Sequence, residues 1–445
     1  MIELRDIGDL RQRQALPLGA KVLMSQNRIR EWYEHFDGNV CVSFSGGKDS
    51  TVLAHLVRDV YPDVPLVFSN TGLEYPEIQA FARKMGAEFV TPKMNFSEVI
   101  SKYGYPIISK ENAEAIYYAR RIRNNEGGGT STQSRNAWNF SDNEAETFGT
   151  SRKAENPNRG GVQTATTPVG GVQGNNQKTN KPCNDSIRRN LLTGGNGRIQ
   201  PNRGKWEGWR RNCIAGVEEF DGVSIFNKQK WLPLCQETQF KISHKCCSVM
   251  KKAPLRSYQR RTKRFPFLGT LAEESKLRTQ AWVRNGCNAF DAKEKTSQPM
   301  SFWTEQDVLK YIRQEGLEIA SVYGEILAVD DQGFSYEPLP GVDCKLKCTD
   351  CQRTGCLFCG FGAHLDKEPR FVRLAKTHPK QYEYCMRGGQ WVDNPEYDPG
   401  APEYDGEWKN WNPKKIWTPS KEGLGMKKVF DDVNAIYGKD FIKYE

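Results

Sequence analysis

The chain has 445 residues, enough for two domains or for one large domain with additions. Its 64 Lys+Arg against 54 Asp+Glu leave a formal charge of +10, which favours anionic partners such as nucleotides or nucleic acid, or else a solvated basic surface. No apolar run approaches the ~20 residues that span a bilayer, and Glu3, Arg5 and Asp9 exclude a signal peptide, so a cytoplasmic protein with no membrane contact is expected. In that compartment thirteen cysteines point to metal or redox chemistry instead of a disulfide framework.

Residues 1–38 read as largely helical, with Trp32 and Phe36 able to pack on a core. The apolar run Val40–Phe44 then reads as a buried strand. It leads into Ser45-Gly46-Gly47-Lys48-Asp49-Ser50, and Val52, Leu53, Leu56, Val57 and Val60 follow on one helical face. Two glycines allow a tight turn and close approach to a ligand. The unpaired N–H groups at the helix start, with Lys48 beside them, make an anion site suited to phosphate or pyrophosphate. A Walker A loop separates its first glycine from its Gly-Lys pair, whereas these glycines are adjacent. A plain strand-to-helix turn is the alternative reading. Asp49 either organises a metal or the loop, or only supports the helix start.

Pro65–Asn70 reads as a second strand, so the two strands and the helix between them form a βαβ unit of a parallel sheet. The segment Asn70–Glu77 lies just past that strand's C-terminal end, where ligands of open α/β sheets bind. Gly86 closes a helix, and Ala87–Val90 predicts a third short strand. Fourteen Asn and thirteen Gly then dominate residues 124–204, which read as a disordered or loosely ordered insertion in a core that resumes after it. Order returns near Trp206. Thr304 and Asp307 form a capping-box start to a helix that Gly316 stops. The expected parts are a first half of the core at 1–123, the insertion at 124–204, the second half at 205–340, and a cysteine-rich then aromatic region at 341–445 ending in a helix near Val429–Ile436.

Cys246 and Cys247 are adjacent, and Cys356 and Cys359 form a CxxC. Four thiolates can hold a [4Fe–4S] cluster if the fold unites the pairs. Buried packing is the alternative for Cys246. Cys344, Cys348 and Cys351 precede the CxxC, and the four-residue gap between Cys351 and Cys356 is shorter than the ~15–20 residues of common zinc ribbons. A compact zinc knuckle, a separate metal or a sulfur relay stay open for these three.

Ser45–Ser50 resembles the PP-loop of the ATP pyrophosphatase and sulfonucleotide reductase superfamily. Cys246-Cys247 followed by Lys252 and Pro254-Leu255 resembles a motif of the phosphoadenylyl-sulfate (PAPS) and adenylyl-sulfate reductase family. Gly269–Arg278 is similar to that family's Gly-x-Arg-x-Glu-x-Ser-x-x-Arg, Trp303–Val308 to its Trp-Thr-x-x-Asp-Val, and Gly355-Cys356-x-x-Cys359 to its second cysteine pair. The motifs occur in family order over about residues 40–110 and 240–365. The implied fold is an α/β, Rossmann-like parallel-sheet core of the adenine nucleotide α-hydrolase type.

The resemblance also implies roles. Ser45, Gly46, Gly47, Lys48, Asp49 and Ser50 would hold phosphate, with Thr71 and Gly72 near the nucleotide. Arg278 would bind an anionic substrate, or else form a core ion pair. Lys48, Asp49 and Arg278 are the catalytic candidates, and Cys246, Cys247, Cys356 and Cys359 the cluster ligands. The family's C-terminal Glu-Cys-Gly-x-His motif has no counterpart, and Cys385 has different neighbours. Two reactions follow. In one, Mg²⁺-ATP adenylates an acceptor such as nucleic acid, and sulfur then displaces AMP. In the other, PAPS or adenylyl sulfate is reduced to sulfite. The sulfur or electron donor is not readable. A nucleic-acid-binding protein that merely keeps the fold is a third reading.

Overall fold

In the computed structural model, residues 6–121, 229–338, 342, 344–404 and 409–445 are described. The expected insertion at 124–204 and Trp206 lie outside them. Two helices, Ile7–Gln14 and Leu18–His35, open the fold. Trp32 is fully buried, and Phe36 stacks on Phe265 with ring centroids 3.8 Å apart.

The core is a six-stranded, mainly parallel sheet of order β3-β2-β1-β5-β7-β6. Its strands are β1 (Val40–Phe44), β2 (Leu66–Ser69), β3 (Glu88–Val90), β5 (Phe265–Leu268), β6 (Asn288–Ala289) and β7 (Thr296–Ser297), while β4 (Ile107–Ile108) lies outside it. The parallel register runs Ser43↔Val67 on one side of β1 and Ser43↔Leu268 on the other, and only β6 is antiparallel. The first βαβ unit and the third strand match the sequence reading. β2 and β3 extend the sheet one way from β1, and β5 and β7 the other way. This reversal at β1 is the switch point where open α/β sheets leave a crevice for ligands.

The helix Lys48–Val60 has its face Val52, Leu53, Leu56 and Val57 buried against the sheet. The helix Glu305–Gln314 starts at Thr304, whose side chain accepts from the Asp307 N–H while Asp307 accepts from the Thr304 N–H. A separate sheet of β8 (Ile326–Val329), β9 (Ser335–Tyr336) and β10 (Lys345–Cys348) follows. β11 (Gly360–Phe361) then pairs with β4, and the helix Met426–Tyr437 is the last helix. Among the described residues, no helix is long and apolar enough to cross a membrane.

Candidate functional site: the Ser45–Ser50 loop between two sets of thiols

The Ser45–Ser50 loop lies at the C-terminal end of β1, and its last three residues are the first turn of the helix. Gly46 has φ +71°, and a Cβ there would sit 2.7 Å from Ile78 Cγ2, so a side chain is excluded by both conformation and space. The loop braces itself. Ser50 Oγ accepts from the Ser45 N–H at 3.2 Å, donates to the Gly47 carbonyl at 2.9 Å and lies 3.0 Å from Ser45 Oγ. Gly269, just past β5, comes so close that its Cβ would meet the Asp49 carbonyl at 3.0 Å.

Lys48 is buried, with Nζ 3.0 Å from Glu305 Oε1, 3.6 Å from Asp49 Oδ1 and 3.3 Å from the Gln352 carbonyl. Burial opposes its charge, but Asp49 and Glu305 outweigh it and hold the ammonium's pKa above the ordinary value. Burial pushes the Asp49 carboxyl up, against the pull of Lys48 and Arg353. Above the loop, Tyr323 Oη accepts from the Lys48 N–H at 3.3 Å and lies 3.2 Å from Thr354 Oγ1. Arg278 forms an ion pair with Glu274, which also binds Arg353 at 3.0 Å, so Arg278 sits at the rim with a carboxylate already on it. Burial, Arg353 and Asp49 all act on its guanidinium, and burial makes the net shift downward.

At the end of β2 the turn is organised by Glu74. Its carboxylate accepts from the Thr71 N–H at 3.0 Å and from Thr71 Oγ1 at 2.7 Å, while Gly72 has φ +74°. Two hydrogen bonds then draw both predicted cysteine pairs to this turn. Leu357, inside the CxxC, donates its N–H to the Leu73 carbonyl at 2.7 Å. Ser69 Oγ donates at 3.3 Å to the carbonyl of Met250, in the π-turn that follows Cys246-Cys247.

The four thiols therefore lie within electrostatic reach of one another. Burial pushes the Cys246 thiol up, and Cys247, Cys356 and Cys359 push it further. Burial and then Cys356 take the Cys359 thiol to about 12. Lys251 stands among them, 3.9 Å from Glu74, and Cys356 and Glu74 hold its ammonium charged against burial. Among the described residues, no three Cys, His, Asp or Glu side chains already form a metal-holding group. The donor chemistry nevertheless fits a cluster. Four thiols, one buried and three half-buried, lie near one another, and a cationic centre would offset their mutual repulsion once ionised.

The other cysteines separate from this set. Burial takes the Cys348 thiol to about 11, and Lys48, Glu305, Cys351 and Asp49 also act on it, which puts it beside the Ser45–Ser50 loop. Cys351 interacts with Arg373 and Lys48. Adjacent CxxC pairs thus face different surroundings, an arrangement at odds with one zinc knuckle made from both. Cys385 is fully buried in the helix Pro379–Met386.

Sequence reasoning left Glu74 open between a ligand contact and a solvated residue, and missed Glu305, Tyr323, Gln352 and Lys251. Glu305 carried a signal, since it follows the capping Thr304 within the Trp-Thr-x-x-Asp-Val segment. Tyr323 and Gln352 carried none.

The model of the phosphoadenosine phosphosulfate reductase domain matches residues 39–118 and 224–360. An uncharacterised protein of Methanocaldococcus jannaschii is 36% identical over 86 residues, 18% of this chain and 21% of that protein. The adenosine 5'-phosphosulfate reductase of Staphylococcus haemolyticus is 29% identical over 103 residues, 21% of this chain and 42% of that protein. The phosphoadenosine 5'-phosphosulfate reductase of Vibrio parahaemolyticus is 32% identical over 75 residues, 17% of this chain and 27% of that protein. The chain thus spans less than half the length of each of these relatives. With the parallel sheet, the loop after β1 and the matched domain together, this chain is a PAPS reductase-like member of the PP-loop superfamily.

Proposed function

We propose that this protein binds ATP at the Ser45–Ser50 loop, adenylates an acceptor such as nucleic acid, and passes sulfur to it. The observation that carries the preference for ATP is the pair of carboxylates on Lys48. Asp49 and Glu305 stand at 3.6 and 3.0 Å from its ammonium. Carboxylates beside a phosphate loop disfavour a bare anionic sulfonucleotide and suit a triphosphate that arrives with a divalent cation. Asp49 and Glu305 would hold that Mg²⁺, which would neutralise pyrophosphate charge.

The chain's own contribution at phosphorus is position and charge. The N–H groups at the start of the helix and the Lys48 ammonium orient the phosphates. Arg278 and Arg353 stand at the rim as counter-charges, tempered by Glu274. Thr71 and Gly72, on the Glu74-braced turn, would face the nucleoside end. Cys246, Cys247, Cys356 and Cys359 would hold a [4Fe–4S] cluster, which supplies sulfur or electron transfer when bound. Lys251 would balance the charge of the thiolates.

The second reading is reduction of PAPS or adenylyl sulfate to sulfite, favoured by the names of the reductase relatives. Anaerobically purified protein incubated with Mg-ATP, a nucleic acid and sulfide, and separately with PAPS plus a thiol, decides between them. AMP and pyrophosphate from ATP, with no sulfite from PAPS, is the expected result. Sulfite and adenosine bisphosphate from PAPS, with ATP untouched, would replace the first reading by the second.

A further inference from the structure

The phosphate loop's best donors are taken by the chain itself. Lys48 Nζ meets Glu305 Oε1 at 3.0 Å and donates to the Gln352 carbonyl at 3.3 Å, while Asp49 Oδ1, at 3.6 Å, adds charge attraction without a hydrogen bond. The Lys48 backbone N–H, a donor that a phosphate would use, goes to Tyr323 Oη. A Cβ on Gly47 would lie 3.1 Å from Tyr323 Oη, so the hydroxyl rests directly on the loop. A phosphate oxygen accepting from the Lys48 N–H must occupy the space that this hydroxyl fills. The two ligands of that N–H exclude each other.

Tyr323 and Gln352 belong to one small unit. The Asp350 N–H donates to the Tyr323 carbonyl and the Cys351 N–H to the Val322 carbonyl, both at 3.2 Å. Gln352 Nε2 closes the turn on the Cys348 carbonyl at 2.5 Å. Thr354 meets Tyr323 side chain to side chain. Displacing Tyr323 therefore pulls on the whole 348–354 turn. That turn carries two thiols, Cys348 and Cys351, which are 1% and 2% exposed. The turn's hydrogen bonds to the loop use a phenol and a peptide carbonyl, both neutral acceptors, while its charged residue, Arg353, is paired with Glu274 outside the loop at 3.0 Å. Phosphate oxygens are charged and bind the same N–H groups more strongly.

We propose that Tyr323 and the 348–354 turn form a cap on the phosphate loop, that the phosphates of an adenine nucleotide displace this cap, and that its displacement uncovers the Cys348 and Cys351 thiols beside the bound nucleotide. The proposal rests on the reading of Ser45–Ser50 as the nucleotide's phosphate site. It gives the loop a resting state occupied by the chain's own oxygens, and it makes Tyr323 a positioning residue that opposes binding.

The test uses the full-length protein under anaerobic conditions. Binding of Mg-ATP, PAPS and inorganic pyrophosphate is measured by calorimetry, and the alkylation rate of each cysteine by iodoacetamide and mass spectrometry, with and without saturating ligand. Ligand is expected to speed labelling of Cys348 and Cys351 at least tenfold, with Cys41 and Cys385 unchanged. Tyr323→Phe, which removes the blocking hydroxyl, is expected to tighten pyrophosphate binding several-fold and to raise labelling without ligand. Thr354→Val, which keeps the hydroxyl but loosens it, is expected to act in the same direction. Ligand that binds yet slows or leaves unchanged the labelling of both thiols overturns the cap, since a fixed wall would be protected. Labelling of Cys41 and Cys385 in step with Cys348 would also overturn it, because that is global opening. Failure of every probe to bind overturns the phosphate-site reading, and the cap with it.

Discussion

The helix that brings Glu305 to Lys48 is pinned by a buried ion pair that can be cut. Lys21 Nζ lies 2.6 Å from Asp307 Oδ2 and 2.6 Å from the Gln14 carbonyl, with Lys21 2% and Asp307 11% exposed at the side chain. Lys21→Met keeps the apolar stem but leaves the Asp307 carboxylate with only its Thr304 donors, at 2.7 and 2.8 Å. Removing one partner of a buried pair costs about 3–5 kcal/mol. The two remaining hydrogen bonds place this case near the lower end, at about 3 kcal/mol. With an unfolding entropy of ~2.1 cal/mol/K per residue over roughly 300 ordered residues, that is a fall of about 5 °C in Tm. Urea unfolding of Lys21→Met, Asp307→Asn and the double variant measures the effect, with a coupling of about 2 kcal/mol expected. A loss below about 1 kcal/mol for Lys21→Met, or additive single effects, would refute the claim that this pair carries the helix.

Other consequences are equally specific. Gly46→Ala forces a side chain into a left-handed position against Ile78, so it should destabilise by roughly 2 kcal/mol and abolish nucleotide binding, read by thermal shift and calorimetry together. Arg120 is buried and donates to the Cys235, Phe240 and Leu234 carbonyls and to Thr238 Oγ1 at 2.7–2.8 Å. Arg120→Met should therefore cost about 3 kcal/mol or more in urea unfolding by removing this shared donor, although the Leu234 carbonyl keeps its bond from Thr238 Oγ1 at 3.0 Å. Burial lifts the Cys41 thiol from an ordinary 9.0 to about 12. The unfolded thiol ionises first, so its contribution is intact below pH 9 and is lost as pH rises towards 12. Cys41→Val should lessen the alkaline loss of stability by about 3 kcal/mol at pH 11, and an unchanged pH profile would contradict this.

The sequence was most legible where structure is local. The strand–loop–helix at Val40–Val60 follows from an apolar run, two glycines and a helical stripe, each read within a few residues. The Thr304 cap was equally plain. β5 was not, because Pro266 argues against a strand. It is tolerated because β7 pairs with β5 at Phe267, not at the proline. The union of Cys246-Cys247 with Cys356-x-x-Cys359 depends on both segments docking at the end of β2 through Leu357 and Ser69, which spacing cannot encode. The opposite lesson comes from Cys351 and Cys356. They are close in sequence yet face different groups, because the chain turns through Gly355 at φ +65° between them. The contacts of Tyr323 and Gln352 with Lys48 depend on the β8–β10 hairpin and left no mark in the sequence.

The central claim is that Ser45–Ser50 holds a nucleotide's phosphates, and equilibrium titration of the wild-type protein and of Lys48→Ala with Mg-ATP tests it most directly. Loss of one charge-assisted hydrogen bond, about 1.5–3 kcal/mol, should weaken binding by roughly 10- to 150-fold while the chain stays folded. Equal affinity of the two proteins would show that the nucleotide is held somewhere else, and would contradict the account.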